Sequence, residues 1–525
     1  MEDVKIQAYA PHFSVLRIEN PQMNYVGEEQ LLDERRFSET GALSTRVVHG
    51  GIWVFSLRLF TRGLAFVRTV ILARLLAPED FGLLGIAMLS LSTLETFSQT
   101  GFQTALVQKR ENVRSYLDTA WTVSAFRGIV LFAILLVSAP LIAKFFNSPH
   151  SILVIRVIAF SSLLSGFRNV GVLHFQKELN FRKQFHIQFS TTIVDLAVAI
   201  CLAFALRNVW ALVWASLAAS VVSLVLSYLL HPYRPRIKFE KAKIQELFGF
   251  GKWIVGSSIL VFLITHGDDM FVAKVIGVTA LGLYQMAFTL SNLPATEITH
   301  VLSQVTFPAY SKLQYNVSRL REAYLRVLQI TTFVSAPLAG GIFILAHDFT
   351  QIFLGEKWMP IVPVMKVLAI AGLVRAIAAS TGPIFHGLGK PKVETKWQTI
   401  RLIVLVVLIY PATSRFGIVG TSIAVLSSIF ISTFGFCSEV IRIIGCSTKP
   451  FGKLIILPLL NATLMVLILL ILDNHLHLTA IYKLLLMTGT GIMFYLLITV
   501  FFEFFLSYGI RRLIRENLGI RSIKS

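Results

Sequence analysis

Seven arginines stand inside long apolar stretches; Arg156 is near the outer end of its stretch, and the other six are Arg58, Arg62, Arg68, Arg127, Arg168 and Arg375. Arg58 and Arg62 are four residues apart and share a helix face. A guanidinium keeps its proton in a low-dielectric setting and grips phosphate oxygens bidentately. Such a set facing one cavity could hold a phosphate or diphosphate, so these six are the candidate substrate-binding residues. The competing reading is pairing with buried carboxylates, for which Glu95, Asp195, Glu297 and Asp268 are available, or with helix carbonyls. The sharpest acidic feature is Thr265–Asp269, reading THGDD. Asp268 and Asp269 beside His266 could bind Na⁺ or relay a proton, and Asp195 is a further ion-coupling candidate. The opposing reading puts both aspartates near a helix end, partly wet. Cys201, Cys437 and Cys446 show no metal-ligand spacing, so neither a disulfide framework nor a metal site is expected. No catalytic residue is expected either, and no cofactor beyond coupling to a Na⁺ or H⁺ gradient.

The elements that must carry these groups follow from composition. Of 525 residues, 55% are hydrophobic and only 14% charged, against about 25% charged in soluble proteins. Only a bilayer rewards that much apolar surface. Fourteen candidate spans can be marked, at about 48–73, 82–107, 116–143, 150–176, 185–206, 209–230, 249–275, 282–310, 322–346, 360–388, 397–414, 417–441, 454–472 and 481–506. The two shortest breaks fall at Arg207 and Arg415. Residues 1–44 lack a long apolar run or signal-peptide pattern and are expected to be a disordered cytoplasmic extension.

The 48 Lys and Arg against 28 Asp and Glu give a net charge of +20. With the N-terminus inside, 32 of the 48 fall on inner segments, 7 on outer loops and 9 within spans, as positive-inside sorting requires. Both termini are therefore expected in the cytoplasm. Lys252 and Lys366 are near enough to span ends to snorkel, and His300 and His386 read as packing or interfacial groups. The loops are short, with no phosphate-binding GxxxxGK[ST] loop, so an inserted catalytic domain or ATP motor is excluded.

The chain also repeats itself. At an offset of 200, Gly51, Trp53, Ala73, Gly82, Leu83 and Ala87 meet identical residues and Arg74 meets Lys274. At 210, Val157–Ala159 meets Val367–Ala369 and Phe175 meets Phe385. Span 1 thus falls on span 7, 2 on 8 and 4 on 10. Halves displaced by an even number of spans share an orientation, which is a transporter architecture with the cargo site between them. The expected fold is an all-α polytopic membrane protein: bundles of six helices at 45–232 and 249–445, related by a pseudo-two-fold axis along the membrane normal. A basic linker at 233–248, two extra helices at 446–508 and a basic tail at 509–525 complete it. Pro232, Pro235 and the run Arg234–Lys243 in and beside the linker suit the anionic inner leaflet.

VILARLLAPEDFGLLG (Val70–Gly85), QKELNFRK (Gln176–Lys183) and GLGKPK (Gly387–Lys392) resemble the oligosaccharide flippases of the polysaccharide transport branch of the MOP superfamily, over about residues 45–445. Such proteins include exporters for O-antigen, exopolysaccharide and teichuronic acid. The resemblance implies export of a polyprenyl-diphosphate-linked oligosaccharide across the cytoplasmic (inner) membrane by alternating access, for cell-surface polysaccharide biosynthesis. It also implies membrane lipids and polysaccharide polymerase or export machinery as partners, no nucleic acid, and no enzymatic activity. The alternatives are an antiporter like the related multidrug extrusion branch, or a non-transporting membrane subunit of a polysaccharide assembly complex.

Overall fold

The computed structural model describes residues 60–99, 116–173, 175, 181–475 and 478–506. Arg58, the extension 1–44, the tail 509–525 and most of 176–183 lie outside the described residues, as do the side chains of Lys252, Glu297 and His300. Among the described residues all regular structure is helical, and nine segments are long and apolar enough to cross a membrane. The protein is a multi-pass membrane protein.

The helices are α1 (60–75), α2 (Pro78–Phe97), α3 (Leu117–Phe145), α4 (Ser151–Gly166), α5 (Phe181–Leu206), α6 (Trp210–Leu230), α7 (Lys241–Val275), α8 (Val278–Leu313), α9 (Val317–Phe349), α10 (Val362–Ala379), the short α11 (Gly382–Gly387), α12 (Pro391–Ile444), α13 (Thr448–His475) and α14 (Ala480–Leu506). Pro78 has no N–H to continue α1 and opens α2 at its first turn, where Asp80 accepts a hydrogen bond from the Ala77 backbone N–H at 2.9 Å. The break before α6 spans residues 207–209 and opens on the left-handed Arg207, at φ 51°. The segment expected as one span at 150–176 is interrupted: α4 stops at Gly166, and a short 3₁₀ turn follows at Val170–Val172. Asn169 closes that turn by accepting from the Gly171 N–H.

At 54 residues, α12 would be about 81 Å long if straight, against a hydrocarbon core of about 30 Å. It is not straight. Gly417 sits at φ 57°, ψ −140°, and the hydroxyls of Thr413 and Thr421 meet at 2.8 Å. A Cβ on Gly420 would stand 2.0 Å from the Ala412 carbonyl oxygen. Residues eight apart can touch only if the chain has doubled back, so α12 is a hairpin of two antiparallel arms. A Gly417→Ala variant is expected to lose about 1–3 kcal/mol, the cost of holding a side chain in this region of φ/ψ space. Thermal unfolding in detergent checks this, and an unchanged midpoint would show that the reversal does not depend on Gly417.

Helices pair chiefly with sequence neighbours, α3 with α4 and α5 with α6, while α10 packs on α8, α9 and α12. The main crossing between the halves is α2 on α8, and its contacts are reciprocal. A Cβ on Gly82 would stand 1.9 Å from the Val278 carbonyl oxygen, and one on Gly282 would stand 2.0 Å from that of Pro78. Within a bilayer, apolar side chains gain little by leaving lipid, so such small-residue approach is what holds helices together.

The reciprocity extends to the helix exits beside this crossing. Arg74, at the end of α1, donates from Nε to the Phe353 carbonyl at 3.0 Å, and its Nη2 donates to the Gln351 and Ile352 carbonyls. Lys274, at the end of α7, donates to the Phe145 carbonyl at 2.5 Å, at the end of α3. Each half thus sends one cation into the exposed carbonyls ending a helix of the other half, where the helix dipole favours positive charge. Lys357 and Trp358 reinforce the seam, donating to the Arg74 and Ala73 carbonyls at 2.9 and 2.8 Å.

The basic linker is strapped to the start of α3. The Arg236 backbone N–H donates to Asp118 at 3.1 Å and the Lys238 N–H to Thr122 at 3.0 Å, while the Tyr233 hydroxyl also donates to Asp118. Burial and then this carboxylate push the Tyr233 phenol above its usual range, so it stays a donor across physiological pH.

Candidate functional site

Among the described residues, the charged candidates other than Arg62 fall into three groups. In the first half, α2, α3, α4, α5 and α6 enclose a cavity of about 430 Å³. Arg127 from α3 and Arg168 from just beyond α4 line it, with Glu95 from α2 and the polar Ser124, Gln184 and Gln188. Arg127 is held in place by the last turn of α2: Nε donates to the Ser98 hydroxyl at 3.0 Å and Nη2 to the Glu95 backbone carbonyl at 2.7 Å. Its remaining guanidinium hydrogens can serve a ligand. Arg168 is released from helical constraint by the end of α4 and is exposed.

Arg68, a substrate-binding candidate, and Asp195, a candidate both for ion coupling and for pairing, meet one another between α1 and α5, Nε to Oδ2 at 2.6 Å and Nη2 to Oδ1 at 3.4 Å. Arg62 lies exposed on α1.

The third group belongs to the second half. Asp268 on α7 is buried rather than wet, 3% exposed, and accepts a hydrogen bond from the Tyr284 hydroxyl of α8 at 2.7 Å. Asp269 turns elsewhere, to Gln285 Nε2 at 3.3 Å and His266 Nδ1 at 3.6 Å. Arg375 on α10 stacks its guanidinium 5.1 Å above the Phe288 ring. Asp268, Phe288, Arg375 and Arg401 share a smaller cavity of about 150 Å³.

Arg401 is near the start of span 11 and by sequence belongs with the basic residues of the inner loop before it. Its position on the first arm of α12 turns it inward. The internal repeat does not mark it: at the 210-residue offset that carries the left-handed Arg207 onto Gly417, Asp195 falls on Leu405. The roles of Arg74 and Lys274 as cross-seam donors were hidden behind an observed match. Among the described residues no cluster of three or more His, Cys, Asp or Glu could hold a metal ion. His386 lies 2.8 Å from Glu394, beside the GLGKPK turn, and not in either cavity.

Residues 71–363 match the family described as Polysaccharide biosynthesis protein. Among curated relatives, the chain is 23% identical over 394 residues to the lipopolysaccharide biosynthesis protein WzxC of Escherichia coli (strain K12), covering 75% of this chain and 80% of that one. It is 24% identical over 352 residues to the succinoglycan biosynthesis transport protein ExoT of Rhizobium meliloti (strain 1021), covering 67% and 71%. Its fold is shared with a solved structure of the lipid II flippase MurJ in an inward closed conformation, at a TM-score of 0.71 and 14% identity, over 87% of this chain and 99% of that one. With more than half its length matched, this chain belongs to the polysaccharide biosynthesis protein family.

Proposed function

We propose that this protein carries a polyprenyl-diphosphate-linked oligosaccharide across the cytoplasmic membrane by alternating access, acting as a carrier and not an enzyme. The observation that carries the reading is the 430 Å³ cavity whose two arginines, Arg127 and Arg168, stand among serines and glutamines inside a membrane bundle. Guanidinium groups suit the diphosphate and the neutral polar lining suits sugar hydroxyls. An apolar groove of about 810 Å³ between α10, the second arm of α12 and α13, floored by Leu373, Phe430, Phe434 and Phe451, has the character an isoprenoid chain needs. The names of ExoT as a transport protein and MurJ as a flippase point the same way.

In this reading the chain crosses fourteen times with both termini inside, as two six-helix bundles and an appended pair, α13 and α14. The reciprocal glycine crossing and the paired Arg74 and Lys274 donors support the two-fold relation. Positive-inside sorting puts that seam on the outer face. It is then the outer gate, closed here, and must open for cargo to leave. Of the acidic candidates, Asp269, hydrogen-bonded to Gln285 and close to His266, is the one through which a Na⁺ or H⁺ gradient would act.

Reconstitution tests the proposal. Proteoliposomes carrying a fluorescent polyprenyl-diphosphate oligosaccharide should show leaflet exchange at least about tenfold faster than empty vesicles. No acceleration would reject the carrier reading and favour a non-transporting assembly subunit.

A further inference from the structure

The internal repeat allows one half of the molecule to be compared with the other. Between α1 and α5, Arg68 and Asp195 close into an ion pair at 2.6 Å. The second half also carries opposite charges, Asp268 on α7, 200 residues after Arg68, and Arg401 on the first arm of α12. These two are not bonded to each other. Arg375 from α10 joins them, and the three line the cavity of about 150 Å³.

Each group in this cavity has an unfilled valence. Asp268 uses Oδ2 to accept from Tyr284, while Oδ1 is buried and unpartnered. The Nε atoms of Arg375 and Arg401 are also buried without a hydrogen-bond partner. Thr265, on the wall, already donates its hydroxyl to the Val261 carbonyl at 2.7 Å. Asp269 is occupied by Gln285 and His266 and does not line the cavity. Two cations therefore face one anion, and the two guanidiniums act electrostatically on one another and on Asp268. Unpaired buried donors and an uncompensated positive charge are both costly in a low-dielectric interior.

We propose that this cavity binds a small monovalent anion of the halide type, chloride in the cell, held by the Nε–H groups of Arg375 and Arg401. One such ion supplies the missing acceptor and restores neutrality, doing in the second half what direct pairing of Arg68 with Asp195 does in the first. At about 30 Å³ per water molecule, the space equals roughly five waters. A diphosphate bearing sugars does not fit, so this is a separate site from the cavity at Arg127 and Arg168. The inference stands whether or not the protein carries oligosaccharide.

The test uses the purified full-length protein in detergent, comparing sodium chloride and sodium bromide with sodium gluconate at fixed Na⁺ and ionic strength. Ligand binding to the folded state raises the unfolding midpoint. A rise of about 2–4 °C is expected in either halide, together with chloride NMR line broadening that bromide reverses. Arg401→Gln should abolish both effects. Asp268→Asn, which removes the competing carboxylate, should tighten halide binding about tenfold or more. Equal midpoints and line widths in chloride and gluconate would overturn the site, and so would a halide effect that survives Arg401→Gln. A Na⁺-dependent shift lost in Asp268→Asn, with no halide dependence, would make it a cation site instead. Should Arg401→Gln fail to fold, the wild-type line width and its reversal by bromide decide.

Discussion

Replacing both crossing glycines, Gly82→Ala with Gly282→Ala, is expected to leave the protein inserted in the membrane but unable to close its outer face. Each new methyl would start 1.9 or 2.0 Å from a backbone carbonyl oxygen of the opposite helix. Van der Waals separation then requires α2 and α8 to part by roughly 1.5 Å. Because the obstacle is backbone, no rotamer change relieves it. Overpacking of this kind costs about 1–3 kcal/mol per site, and the two sites oppose the same closed state. Together they should shift the balance between closed and open by about 10²-fold or more. The seam donors cannot compensate, since Arg74 and Lys274 reach their carbonyls only while the halves are this close. Transport should fall by about 10²-fold, because a carrier that cannot close outside cannot reset. A cysteine at Leu281, 0% exposed and facing Gly85 across the closed seam, reports the gate once Cys201, Cys437 and Cys446 are replaced. Impermeant maleimide added to cells should label it in the double variant and not in the parent. Normal flipping with an unlabelled cysteine would show that this seam is not the outer gate.

The second large effect separates two kinds of arginine that composition treats alike. Neutralising the cavity pair, Arg127→Gln with Arg168→Gln, should reduce flipping of a diphosphate-linked substrate by about 10²-fold or more. Hydrogen bonds to a charged group are worth about 1.5–3 kcal/mol each, and every 1.4 kcal/mol is tenfold. Neutralising the paired residues together, Arg68→Gln with Asp195→Asn, should leave flipping within about threefold of wild type. These two form an ion pair between α1 and α5, and their double replacement leaves no lone charge behind. Either single replacement should be worse than the double, as it strands a half-buried charge in the bundle. Expression and thermal midpoint must be read alongside to separate folding from transport. Equal loss in both double variants would mean that the whole set serves one electrostatic field. Equal retention would remove Arg127 and Arg168 from the cargo site.

How far the residues alone led depended on whether their signal was local. Helix positions were legible because bilayer insertion depends on runs of about twenty apolar residues, and such runs are written along the chain. The breaks at Arg207 and in α12 were visible for the same reason, though the reversal was expected at Arg415 and falls at Gly417. The interruption after Gly166 was missed because Asn169, which nucleates the 3₁₀ turn, sits in a segment whose mean hydropathy still reads as a span.

The site residues divide by a different rule. The sequence by itself determined that guanidiniums and carboxylates would be carried into an apolar interior, and the repeat matched Gly82 to Gly282 and Arg74 to Lys274. Only the tertiary structure decided which charge meets which. Arg68 found Asp195 127 residues away, Arg127 took the end of α2, and Arg401 left the inner basic set to join Asp268 and Arg375. The physical reason is range: hydropathy acts on a segment through its own surroundings, whereas the fate of a buried charge is set within a few ångströms by groups on other helices. Those distances exist only after the bundles have packed.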